Sequence, residues 1–307
     1  MRSVPAEQTC HPQPPGRSRG GLTLRRLAFV VLVSFATACS VVGALYERLD
    51  LLLGLEAREW LDLDETQMHD FRRAARLRIE ENRREELPEY IAFLELAATR
   101  VESPPDAATL QADAEKLRLL LRGTVRRSLP MIADTLASLH PGQVQHLAEQ
   151  FAESNAEYAE DYIEIAPERF RKNRLRRSRE AIERWTGRLD PLQREQVAEL
   201  VDAVPDGSAA WSAYSQSWQQ SLLAELRAGA DSERLQALTE QWWTTDAAMD
   251  PAYVVQLEEN RHIISGYVAR LLPTLTQRQR TRAAAEFRGL AADLRELLRP
   301  VEEEQQP

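Results

Sequence analysis

The densest concentration of reactive side chains in this sequence is cationic. Arg169, Arg171, Lys172, Arg174, Arg176, Arg177 and Arg179 place seven positive charges within eleven residues, directly after Glu153, Glu157, Glu160, Asp161 and Glu164. At 3.6 residues per turn, such a run surrounds a helix rather than forming one stripe. One reading is a binding surface for anionic lipid head groups, lipopolysaccharide phosphates or an acidic protein. The other is an acidic–basic helix pair that neutralises itself within the fold or across a dimer, and it is favoured because the chain has ample acid. Glu259-x-x-His262, with Glu258 beside it, has the spacing of a carboxylate–histidine metal pair on one helix. A helical di-metal site needs a second such pair and two further Glu, which the sequence lacks, so ordinary surface charge is expected there. Glu85, Glu86 and Glu89 are dense enough to read as a solvated helix face. No Gly-rich phosphate loop is present, and Cys10 and Cys39 are the only cysteines. The expectation is therefore no catalytic residue, no metal and no cofactor.

The elements that must carry these groups are helical. Among the 307 residues, Leu, Ala, Glu, Arg and Gln dominate, and alternating β-branched runs are absent. With 39 basic and 48 acidic residues the net charge is −9, which argues against nucleic acid as a partner. Only Lys116 and Lys172 are lysines, an Arg bias that suits a GC-rich genome. Breaks at Ser103-Pro104-Pro105, His140-Pro141-Gly142, Pro167, Asp190-Pro191, Pro205-Asp206-Gly207, Gly229, Asp250-Pro251 and Pro273 delimit about eight helices, near 64–101, 106–138, 141–184, 190–203, 208–228, 231–248, 251–272 and 276–298. Pro88 and Pro167 are expected to kink or split two of them. Trp211, Tyr214, Trp218, Leu222 and Leu226 recur at helical spacing and read as core.

A short pattern recurs four times, as Leu63-Asp64-x-x-Gln67, Leu139-His140-x-x-Gln143, Leu189-Asp190-x-x-Gln193 and Leu275-Thr276-x-x-Gln279. It describes a helix start. Asp or Thr at the cap accepts from the third amide, and Gln at that position reaches back to the cap amide. Met68 and Val144 stand where a hydrophobic staple needs them; Arg194 and Arg280 do not. The first and third motifs, and the second and fourth, stand at similar offsets. Ala148-Glu149-Gln150-Phe151 and Ala284-Ala285-Glu286-Phe287 fall into register with them. This predicts two diverged halves, 63–170 and 171–298, followed by a disordered tail at 299–307.

The first 38 residues read as a leader. Arg25-Arg26 precede the apolar run Leu27 to Phe35 and then Ala36-Thr37-Ala38-Cys39. Thr37-Ala38-Cys39 resembles the bacterial lipobox, in which the cysteine is acylated and becomes the new N-terminus, although Leu is usual where Ala36 stands. On that reading 1–38 is a signal peptide, 39–62 an anchor and tether, and the processed charge is −13, since five Arg and one Glu leave with the leader. The stretch before Arg25 is long for a signal, which leaves a start downstream of Met1 open. Ser40 after the cysteine resembles the outer-membrane sorting rule of enterobacterial lipoproteins.

Two further resemblances concern the helices. Leu-Thr-x-x-Gln, complete only at Leu275 to Gln279, is similar to the signature of periplasmic helical proteins of the Spy and CpxP type, which implies an envelope chaperone or adaptor. Cys39, Tyr46, Leu49-Asp50, Trp60-Leu61-Asp62-Leu63, Gln67 and Arg83-Arg84-Glu85-Glu86-Leu87-Pro88-Glu89-Tyr90 resemble an uncharacterised family of proteobacterial lipoproteins. That resemblance implies secretion, lipidation and an all-α fold, and brings no activity. The expected function is a lipid-anchored, non-enzymatic binding or adaptor protein facing the periplasm, held to the membrane through acylated Cys39. Its partner would be an envelope protein or an anionic envelope component. A chaperone for unfolded clients, a cell-envelope hydrolase and a metal-responsive protein are the alternatives.

Overall fold

The computed structural model describes Tyr46 and residues 48–299; the leader, Cys39 and positions 300–307 of the expected tail lie outside the described residues. Among the described residues there is no strand, and eleven helices follow one another. They are α1 (Leu49–Leu61), α2 (Glu65–Glu85), α3 (Leu87–Glu102), α4 (Ala107–Ala137), α5 (Pro141–Tyr162), α6 (Pro167–Thr186), α7 (Pro191–Ala203), α8 (Ser208–Arg227), α9 (Ser232–Trp243), α10 (Pro251–Thr274) and α11 (Gln277–Leu298). The expected count of about eight is thus too low, for two reasons. Pro88 and Pro167 each end one helix and begin another, because proline has no amide to continue the ladder but fits a first turn. In addition, the segment read as a tether contains α1, whose Ala57 is buried and whose Trp60 packs on Phe151. Pro130 lies inside α4 and Pro273 in the last turn of α10. No described helix is long and apolar enough to cross a membrane.

Packing is distributed over several small cores rather than one. The largest joins the C-terminal turns of α4 to α5, α8 and α9 through Leu136, Leu147, Phe151, Tyr214, Trp218 and Leu235. Phe151 meets Trp218 edge-on at 5.3 Å, and Trp218 meets Trp243 at 5.5 Å. Trp242 and Trp243 are both half-buried and divide their contacts, Trp242 against Tyr214 and Trp243 against Trp218. Antiparallel α3 and α11 form a second core from Leu87, Ile91, Ala291, Leu294 and Leu297. Its rim is tied by Arg288 to Glu102 (2.6 and 2.7 Å) and by Arg295 to Glu95. α4 and α6 stand apart from this burial, α6 enclosing only Thr186. Of the 31 residues of α4 only Leu129, Ala133 and Leu136 are buried, so the stretch 107–128 carries exposed Leu119 and Leu121 instead of a core face.

Two tyrosine hydroxyls are sealed into this frame. Tyr46 donates to the Ile79 carbonyl and to Asn82 Oδ1, both at 3.0 Å, and Tyr214 donates to the Trp242 carbonyl. Burial, the largest cause, pushes each phenol from the ordinary 10 up to about 12. An unfolded tyrosine ionises first, so stability present at neutral pH falls as pH rises from about 10 towards 12. An absorbance titration at 295 nm should show two of the seven tyrosines ionising about two units after exposed ones. A single midpoint near 10 for all of them, with the fold intact, would contradict this packing.

Candidate functional site

The four repeated motifs come together in two pairs. Asp64, Asp190 and Thr276 cap their helices as expected: their side chains accept from the Gln67, Gln193 and Gln279 amides at 2.9, 2.9 and 3.2 Å. The glutamines in return accept from the cap amides at 3.0, 3.0 and 2.9 Å. At the second motif only the return bond exists, His140 N–H to Gln143 Oε1 at 2.8 Å. The remaining hydrogen-bonding groups of each glutamine turn outward to a second helix start. Gln67 and Gln143 exchange amide bonds at 3.0 and 2.6 Å, and Gln193 and Gln279 exchange them at 2.9 and 2.9 Å.

The second N–H of every glutamine donates to the carbonyl two residues before the partner's cap. Gln67 reaches Ser138, Gln143 reaches Asp62, Gln193 reaches Thr274 and Gln279 reaches Arg188, at 2.7 to 3.0 Å. Each side chain thus uses two N–H donors and at least two acceptor sites, the full inventory of a primary amide. Glu would lack the donors, and Asn is one methylene too short to span cap and partner. That explains why Gln recurs in all four motifs while the cap varies among Asp, His and Thr. Asp62 adopts a left-handed conformation (φ 48°) that ends α1 and presents its carbonyl to Gln143.

The basic run lies on α6 and is largely engaged within the chain. Arg171 grips Asp202 with two bonds of 2.6 Å, Arg174 donates to the Val204 carbonyl and stacks over Phe170, and Arg177 reaches the Tyr162 hydroxyl. Arg176 and Arg179 stand 3.6 and 3.8 Å from Glu180 and Glu183. Arg169 and Lys172 are exposed and have no side-chain partner among the described residues. Glu259 and His262 remain on the surface of α10, where His262 Nδ1 lies 3.3 Å from Gln111. No group of three His, Cys, Asp or Glu among the described residues is arranged to hold a metal ion.

The structure brings together one cluster that the sequence reading missed. Glu86, expected on a solvated face, is buried, and its carboxylate is bonded to Arg78 Nη2 and to the Thr124 hydroxyl. Tyr90 OH lies 2.6 Å from Thr124 Oγ1, Arg78 Nε donates to Ser128 at 3.2 Å, and Arg127 stands 3.8 Å from Glu86. Burial raises the Tyr90 phenol above its ordinary value. Pro88 is the cause of the placement. It breaks the helix two residues on, so Glu86 is both the last cap of α2 and the first of α3, turned in towards α4. A sequence signal existed in the Glu86-Leu87-Pro88 order, since a carboxylate beside a helix break leaves the regular face.

Glu86 and Tyr90 form part of the wall of a cleft of about 500 Å3 between the α2–α3 junction and one face of α4, completed by Leu119, Leu120, Gly123 and Lys116. A second cleft of about 670 Å3 lies on the other side of α4 against Val254, Val255 and Glu258 of α10. Ala112 and Glu115 line both. Fold and site together define an all-helical protein whose helix starts are joined by paired glutamines and whose longest helix is flanked by two clefts.

The chain belongs to a family of unknown function, DUF6279, whose model matches residues 59–263. The matched region includes the first clasp, the buried Arg78–Glu86 pair and both clefts. No curated protein and no solved structure matches the chain.

Proposed function

We propose that the protein is a non-enzymatic binding protein of the bacterial envelope, held to a membrane through acylated Cys39 and facing the periplasm. The observation that carries the binding reading is α4 itself: residues 107–128 bury no side chain, expose Leu119 and Leu121, and form a wall of both clefts. Exposed Leu119 on the wall of the first cleft and exposed Leu121 on the same helix, which is fixed at one end by the first clasp, suit a partner protein better than a reacting small molecule. Arg169 and Lys172 on α6 supply a smaller cationic surface for an anionic envelope component.

We read the chain, in addition, as two related halves, 63–170 and 171–298. Support comes from the clasps: each half closes its own, with glutamines 76 and 86 residues apart, and all four make the same bond two residues before the partner's cap.

The test is photo-crosslinking in cells, with a probe at Leu119 of the full chain and a second at Arg169. One dominant envelope protein captured from Leu119 is the expected result. A broad spread of unfolded clients would make the protein a chaperone instead. No capture at either position would remove the binding reading.

A further inference from the structure

The two clasps stand at opposite ends of the molecule. α4 ends at the first clasp, where Gln67 bonds to Ser138, and extends away from it for 31 residues, about 46 Å at 1.5 Å per residue. Near the far end of α4, Gln111 meets Glu258 and His262 of α10, and α10 continues from there to Thr274 at the second clasp.

The two ends are oppositely charged. Exposed Glu59, Asp62, Asp64, Glu65 and Asp70 surround the first clasp. Arg188, Arg194, Arg278, Arg280 and Arg282 surround the second and outnumber its exposed cap carboxylate, Asp190, with Leu192 among them at 57% exposure. Gln279 bonds to the Arg188 carbonyl, and Arg282 lies against Gly187, so the arginines of α11 converge on the α6–α7 turn.

Two of these cations oppose the local field. α7 is capped by the Asp190 carboxylate, whereas α11 is capped by uncharged Thr276 and has no acidic residue in its first turn, so Arg278 and Arg280 add to the positive potential of that helix start. Arg188 and Arg278 have no side-chain partner among the described residues, and Arg282 is paired with Glu286 on its own helix at 3.9 Å. Like charges gathered at a helix start weaken the isolated fold and are relieved by an opposing anionic surface. The chain carries such a surface at its other end, where Glu59 and Glu65 have no ion-pair partner among the described residues.

We propose that copies of this chain dock head to tail, the Arg188–Arg278–Arg282 end of one against the Glu59–Glu65 end of the next. Because the two docking surfaces differ, the contact is heterologous and each added copy leaves a free end.

Sedimentation velocity of the purified full chain in about 20 mM and about 300 mM salt tests this, since the Debye length falls from ~20 Å to ~6 Å between them. Mass that grows with protein concentration in low salt and reverts to the monomer in high salt is expected. Arg188→Glu/Arg278→Glu and Glu59→Lys/Glu65→Lys should each be monomeric at both salts, with circular dichroism confirming the fold. An equimolar mixture of the two variants should associate again, because each then offers the charge the other has lost. A monomeric wild-type chain in low salt, or a mixture that stays monomeric, overturns the proposal. So does capture of the monomer by anionic vesicles through Arg188 and Arg278, which would assign the basic end to lipid.

Discussion

Arg78→Met should lower stability by about 3–5 kcal/mol, because it leaves the Glu86 carboxylate buried without its guanidinium. The side chains of Arg78 and Glu86 are 9% and 5% exposed, the least exposed ion pair among the described residues. Thr124 and Arg127 remain as partners after the substitution, but a hydroxyl and a cation at 3.8 Å do not replace a direct charge-assisted bond. At roughly 2–4 °C per kcal/mol for a chain of this size, the thermal midpoint should fall by about 10 °C. The double variant Arg78→Met/Glu86→Leu should recover most of this, since removing both charges also removes the desolvation that made each costly. Urea unfolding of the three proteins measures it. A loss under about 1 kcal/mol in the single variant would mean that the cleft hydrates Glu86.

Gln193→Ala should cost about 3 kcal/mol, and Gln67→Ala only about 1 kcal/mol, although the two residues occupy the same place in the repeated motif. The difference is burial. Gln193 is fully enclosed, and its loss strips hydrogen bonds from the Gln279 amide, the Thr274 carbonyl and the Asp190 N–H at once. Gln67 is half-exposed, so water takes up much of what Gln143, Ser138 and Asp64 lose. Gln193→Glu is the sharper control, because it keeps size and acceptors while removing both donors. Its carboxylate would face Gln279 Oε1 and the Thr274 carbonyl, so it should be at least as damaging as alanine at pH 7 and less so once protonated in acid. Equal losses for Gln67→Ala and Gln193→Ala would show that the motif acts only as a local cap, without its bond across the clasp.

How much of this was legible beforehand depends on how local the cause is. The capping half of three of the four motifs could be written down from Asp64, Gln67, Asp190, Gln193, Thr276 and Gln279, since the cap and its return bond lie within one helical turn. The aromatic stripe of α8 followed from spacing in the same way, and the splits at Pro88 and Pro167 followed from proline chemistry. The helix α1 lies in the stretch read as a tether, where Leu53, Ala57 and Trp60 fall at helical spacing in a segment too short and too close to Cys39 to stand out. Glu86 was missed for a related reason. Among Arg83, Arg84, Glu85 and Glu89 it has the composition of a solvated face, and only the break at Pro88 turns it inward.

Local sequence sufficed for an all-helical chain, for most of the places where helices begin and stop after Leu63, and for the four glutamines. All of these rest on interactions between residues within about one turn of each other. Which glutamine meets which, and that the two clasps stand at opposite ends, was decided by tertiary structure alone, because a capping motif contains no information about its partner 76 or 86 residues away. The same holds for α6, where the sequence contains the seven cations but only packing brings Asp202, the Val204 carbonyl and Tyr162 against three of them. Charge pairing across a fold is a matter of distances of a few ångströms between segments, and those distances exist only once the helices have docked.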